Sequence, residues 1–145
     1  MPKHNCQASA EEIALFEQCE KRLEKNPNDV DALIQVGFLC MDPFYDPDRS
    51  LSSLQQACTL DPMNMQAHFW LAKTLYHVHC LYKETKMALD KALQIDPNNA
   101  ECCDLLASIL CGLKEDPNNS IALLQRAIEN QPGWLLPRIR LAYYF

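Results

Sequence analysis

The sequence predicts an all-α chain built as a stack of antiparallel helix pairs, and three observations carry that prediction. Prolines stand at one fixed interval, Pro27, Pro62, Pro97 and Pro132, each 35 positions after the last. A fixed period in this range marks a stacked-repeat architecture. Chemistry counted from those prolines repeats as well. Val36, Leu71, Leu106 and Leu141 are large and apolar, Gly37, Ala72, Ala107 and Ala142 are small, and Cys40, Leu75, Leu110 and Phe145 are apolar again. Finally, glycine is scarce and no run of alternating β-branched residues suggests a strand.

Residues 1–26 form the first expected element, an N-terminal capping helix. Ser9-Ala10-Glu11-Glu12 has the form of a capping box, a hydroxyl at the cap and a carboxylate three residues later. Ile13, Phe16, Cys19 (or Glu20) and Leu23 then run a helical stripe toward Pro27. The helix takes the place of the second member of a pair whose first is absent. Its charged face, from Glu17 through Lys25, reads as solvated surface.

Three units follow, at 27–61, 62–96 and 97–131. Proline disfavours helical geometry in the residue before it, so Pro27, Pro62 and Pro97 each close the preceding helix. Asn28-Asp29, Met63-Asn64 and Asn98-Asn99 then offer side chains that cap the next one. In the first helix of each unit the large, small and large apolar positions share one stripe, and the small residue admits a close neighbour. In the second helix Leu54, Leu89 and Leu124 stand eight before the next proline, and Ala57, Ala92 and Ala127 five before it. Ser50, Thr85 and Ser120 are expected to open these second helices. The turn inside the first and third units is built on Asp46-Pro47 and Asp116-Pro117; in the second it reads Leu81-Tyr82-Lys83-Glu84. Residues 132–145 form a terminal helix or partial fourth repeat, with Pro137 tolerated in its opening turn. No second helix follows to cover Leu141, Tyr144 and Phe145. Three readings stay open: a stack that continues, a helix that caps alone, or a surface for self-association.

Composition narrows the function. A formal net charge of −6 argues against binding a phosphate backbone or an acidic membrane surface, and favours basic partners. No stretch approaches the roughly 20 apolar residues of a membrane span, and no apolar run follows Met1-Pro2-Lys3-His4-Asn5 to make a secretory signal. The eight cysteines, Cys6, Cys19, Cys40, Cys58, Cys80, Cys102, Cys103 and Cys111, contain no C-x-x-C pair, and several fall at apolar repeat positions. They read as small buried hydrophobes of a reduced, cytoplasmic protein. His77-Val78-His79-Cys80 is the one dense ligand cluster, but residues two apart on a helix point to nearly opposite faces, so no metal is expected. With no glycine-rich phosphate loop and no H-E-x-x-H, the expectation is no enzyme and no cofactor.

These residues carry a resemblance to the tetratricopeptide-repeat (TPR) family. Its clearest copy runs from Gln66-Ala67-His68-Phe69-Trp70-Leu71-Ala72 through Ala88-Leu89-Asp90-Lys91-Ala92-Leu93-Gln94-Ile95-Asp96-Pro97. The period is one longer than the family's usual value of about 34, with the extra residue placed in the turn between paired helices. The family's first-helix aromatic is replaced by Leu33, His68, Cys103 and Arg138. The resemblance implies a right-handed α-solenoid, a TPR-like superhelix whose first helices line a concave groove.

By the same resemblance the groove positions lie four, seven, eleven, fourteen and fifteen after each proline. They are Asp31, Ile34, Phe38, Met41 and Asp42; Gln66, Phe69, Lys73, Tyr76 and His77; and Glu101, Asp104, Ser108, Cys111 and Gly112. The terminal helix adds Leu136, Ile139 and Tyr143. The carboxylate clamp of some family members would fall on Ile34, Phe38, Trp70, Glu101 and Leu105, none of which supplies it. The implied ligand is a protein or peptide with apolar anchors, held by Phe38, Phe69 and Tyr76, and basic flanks, selected by Asp31, Asp42, Glu101 and Asp104. Two function classes remain: a non-catalytic adaptor or scaffold, and a small binding chaperone similar in outline to those of type III secretion.

Overall fold

The computed structural model describes residues 8–145, and these hold eight helices and no strand. Met1–Asn5 and Cys6 lie outside the described residues. The helices are α1 (Ala10–Lys25), α2 (Val30–Met41), α3 (Pro47–Leu60), α4 (Met65–His77), α5 (Tyr82–Ile95), α6 (Ala100–Leu113), α7 (Pro117–Asn130) and α8 (Leu135–Tyr144). The chain divides into two compact units, Met1–Ala88 and Leu89–Phe145, with the division inside α5.

One turn recurs at the sequence period. α1, α3, α5 and α7 each end two residues before a proline. The residue before each proline lends its carbonyl to an amide three positions on: Asp29 N to Asn26 O at 3.1 Å, Asn64 N to Asp61 O at 3.1 Å, Asn99 N to Asp96 O at 3.3 Å and Trp134 N to Gln131 O at 3.1 Å. Proline suits the second position of such a turn because its φ is already set. Asp29, Asn64 and Asn99 then cap α2, α4 and α6, each side chain accepting from the backbone N–H three residues later. The fourth copy carries Trp134 there, and α8 has no side-chain cap.

The replaced family aromatic also has a role. His68 places Nε2 2.9 Å from the carbonyl of Pro62, and the Cys103 thiol points at that of Pro97 at 3.8 Å. From the second helices, Gln56 donates to Pro27 O at 3.1 Å and Arg126 to Pro97 O at 3.2 Å. These contacts satisfy carbonyls that no helix ladder reaches.

In the first unit α1 packs on α2, and Phe16 and Cys19 join Ala32, Val36, Leu39, Cys40 and Phe44 in one core cluster. The capping box forms as read: Ser9 accepts from Glu12 N at 3.2 Å, and Glu12 accepts from Ser9 N at 2.8 Å. Leu33, Ile34, Ala57 and Ala67 make a second cluster where α2, α3 and α4 meet. Gly37 lies under Leu54, so close that a Cβ there would overlap the leucine Cγ. In the second unit α6 is buried along most of its length, against α7 and α8. Leu124 and Ala127 are fully buried there.

Three expectations need correction. Ser50, Thr85 and Ser120 do not open the second helices; each is the fourth helical residue and buried, and Asp46 and Asp116 are the caps of α3 and α7. Ser50 instead donates to Gly37 O at 2.7 Å and meets Thr74 Oγ1 at 3.0 Å, tying α3 to α2 and α4. The turns group differently as well. Tyr45 and Cys80, one period apart, both take positive φ, and each is followed by an amide bonded six residues back, Asp46 N to Cys40 O and Leu81 N to Leu75 O. The turn before α7 closes five residues back, Glu115 N to Leu110 O, with Lys114 and Asp116 at positive φ. The shared Asp-Pro sets the helix start, not the turn. Lastly, Leu71 and Leu141 are only half-buried.

Leu106→Ala should cost about 2–5 kcal/mol by leaving a cavity in the α6 core; denaturant unfolding measures it, and a loss below about 1 kcal/mol would contradict the assigned packing. Gly37→Ala should destabilise by about 1–3 kcal/mol, because the new methyl displaces Leu54; the same unfolding curve would show no change if Leu54 had room to move.

Candidate functional site

Burial sorts the expected groove positions by their place in the period. The position seven after Pro27, Pro62 and Pro97 faces inward: Ile34, Phe69 and Asp104 are all buried. Asp31, Gln66 and Glu101, four after, are exposed, and so are Asp42, His77 and Gly112, fifteen after. Phe38 and Lys73, eleven after, are half-buried, as are Met41, Tyr76 and Cys111 at fourteen. Phe69 is therefore not an open anchor for a ligand. Its neighbour Trp70 carries the more accessible ring.

In the first unit α2 and α4 bring these side chains together. The rings of Phe38 and Trp70 lie 4.6 Å apart, and Phe69 meets Trp70 edge-on at 5.2 Å. Trp70 also packs on the Leu33, Ile34, Ala57 and Ala67 cluster. The Lys73 ammonium sits 5.1 Å from the Trp70 ring centre and 5.3 Å from that of Phe69, within reach of a cation–π attraction. One turn on, Tyr76 makes edge contacts with His77 at 4.9 Å and Tyr82 at 5.8 Å. Burial, aided by the Lys73 charge, pushes the His77 pKa down, so its imidazole is neutral at physiological pH. The result is one aromatic cluster of Phe38, Phe69 and Trp70 and a second of Tyr76, His77 and Tyr82, with Lys73 on the first and Asp31 and Asp42 exposed at the start and end of α2. α1 packs on α2 through Phe16 and Cys19, in a cluster that Phe38 also touches.

In the second unit Glu101 is exposed, but Asp104 is not available to select a ligand's charge. It is buried at a position whose period mates Ile34 and Phe69 are apolar, and its Oδ1 lies 3.0 Å from Arg140 Nε of α8. The contact is off the ideal hydrogen-bond line, so charge rather than alignment holds it. Burial raises the Asp104 pKa more than Arg140 lowers it. Reading Asp104 as a free acidic edge failed because its compensating cation stands a full period away, on a helix with no other sign of pairing. Leu136, Ile139 and Tyr143 of α8 are exposed.

The described cysteines are free thiols. Burial pushes Cys40 and Cys102 up to about 12, leaving them protonated and unreactive at neutral pH. No group of three His, Cys, Asp or Glu side chains among the described residues could hold a metal ion.

No family model matches the chain. Over 117 residues, 79% of its length, the chain is 31% identical to interferon-induced protein with tetratricopeptide repeats 2 of Mus musculus, and spans 24% of that relative. Among solved structures it resembles YrrB, described as a TPR protein with an unusual peptide-binding site, at 26% identity and a TM-score of 0.80, covering 89% of this chain and 65% of that one. It also resembles MamA from Desulfovibrio magneticus RS-1, at 18% identity and a TM-score of 0.79, covering 93% and 75%. The helix pairs, the repeated turns and these likenesses make this an all-α repeat protein with the TPR fold.

Two measurements test this electrostatic picture. Folding favours protonated Asp104, so its contribution is full below the ordinary carboxylate range and falls as pH rises through the raised value. Wild type and Asp104→Asn should be similarly stable near about pH 3, with wild type falling behind toward about pH 6; a gap that widens on acidification would contradict it. Under a thiol-specific label at about pH 8, exposed Cys80 should react first, and Cys40 and Cys102 only on unfolding.

Proposed function

We propose that this chain is a non-catalytic adaptor or scaffold module of the cytoplasm, with repeats at 27–61, 62–96 and 97–131, that binds a peptide or helix of a protein partner on the α2–α4 face. The observation that carries the proposal is the half-buried ring contact of Phe38 and Trp70 across α2 and α4, with half-buried Tyr76 further along α4. Large, rigid rings supply contact area at low entropy cost and dominate the energetics of interaction surfaces. Apolar anchors of the partner would lie on these rings and Met41, and Asp31 and Asp42 would favour basic flanks. The peptide-binding site of the similar protein YrrB supports a peptide ligand.

Selection of peptides from a random library on the immobilised chain, followed by titration of the winners, tests this reading. Trp70→Ala should weaken the selected peptides by about tenfold or more, as expected for a central aromatic anchor, with helical circular dichroism unchanged. Binding that survives both Trp70→Ala and Tyr76→Ala would move the site off this face.

A second surface is supported by α8, where Leu135, Ile139 and Tyr143 are largely exposed and a cleft of about 340 Å³ opens beside Tyr144 and Phe145. An apolar face of this kind can meet its own copy across a two-fold axis. Light scattering over a concentration series should then show a dimer that Ile139→Asp returns to monomer; a monomer throughout would rule this surface out for self-association.

A further inference from the structure

Lys73 is out of keeping with its surroundings. Its period mates Phe38 and Ser108 are uncharged, yet it places an ammonium on the aromatic surface of the first unit. The two rings beneath hold that ammonium in place. Neither Asp31 nor Asp42 comes within ion-pair distance, and Lys73 has no salt bridge and no hydrogen-bond acceptor among the described residues. Its three N–H donors therefore lie beside two aromatic rings and meet no acceptor of the protein among the described residues. The opposite choice is made elsewhere in the chain, where Arg22 is paired with Asp29, Arg49 with Glu20 and Arg140 with Asp104.

We infer that Lys73 is a specificity-determining residue that reads an acidic side chain of the bound peptide, placed next to the anchor that lies on Trp70. The inference rests on the α2–α4 binding face proposed above and fixes the charge at its centre, opposite in sign to the basic flanks. A carboxylate meeting Lys73 would gain charge-assisted hydrogen bonds in a partly desolvated place, where they are stronger than at an open surface. A basic side chain there would meet like charge and would have to displace the ammonium from its rings.

The test is a random twelve-residue peptide library selected on the whole chain, in parallel on wild type, Lys73→Met and Lys73→Glu. Methionine keeps the apolar stem over the rings, so a loss of fold is separated from a loss of charge; helical circular dichroism checks all three. Wild type should enrich Asp or Glu beside an aromatic or large aliphatic residue. Changing that acid to its amide should weaken the synthetic peptide about tenfold on wild type and hardly at all on Lys73→Met. Lys73→Glu should enrich Lys or Arg at the same place. Peptides that need Trp70 but show no acid preference, or the same preference on all three proteins, would overturn the role of Lys73 and leave the binding face standing. A library that yields no Trp70-dependent peptide would overturn the binding face, and the inference with it.

Discussion

The turn at each repeat proline governs the rest of the structure. It ends one helix, bends the chain through a carbonyl-to-amide bond, and starts the next helix on an Asx cap, at Asn26–Asp29, Asp61–Asn64 and Asp96–Asn99. The cap fixes the rotational phase of the helix that follows. Phase in turn decides that positions nine, ten and thirteen after the proline face the packing partner, and that four and fifteen face water. Side chains from elsewhere in the fold reinforce the turn by bonding the proline carbonyl: His68 and Gln56 in the first unit, Cys103 and Arg126 in the second. A residue type that departs from the family pattern thus preserves its contact by other chemistry.

Close approach of the paired helices depends on that phase. Gly37 lies against Leu54, and the Ser50 hydroxyl reaches Gly37 O and Thr74 across the same narrow gap. A buried hydroxyl is tolerated because it is bonded; left without partners it would cost more than an alanine. Asp104 follows the same logic with a charge. It occupies an inward position that its period mates fill with apolar side chains, and Arg140 compensates it across the α6–α8 contact. What stays outside once these inward positions are filled includes, in the first unit, the half-buried rings of Phe38, Trp70 and Tyr76.

The proposed α2–α4 face was legible in outline only. Offsets from the proline place Phe38, Lys73, Tyr76 and His77 near one another on α2 and α4, because the helical period maps sequence spacing onto a face. They could not separate Phe69 from Trp70, since adjacent residues are 100° apart and the cover over each comes from another helix. The fate of Asp104 was equally hidden, because its charge partner lies 36 residues on and has no counterpart in the other units. Phe44, buried in a turn and packed on Phe16 at 4.8 Å, belongs to no periodic position and left no trace in the pattern.

Spacing alone determined the all-α repeat, the helix ends at the prolines, the Asx caps and the capping box at Ser9. Each rests on bonds between residues three or four apart, so the local sequence contains both partners. Tertiary structure decided which aromatic ring lies open, which acid is neutralised, and that Lys73 stands on two rings without a carboxylate. Those outcomes depend on side chains that meet from different helices, whose distances are set by packing and not by their separation along the chain.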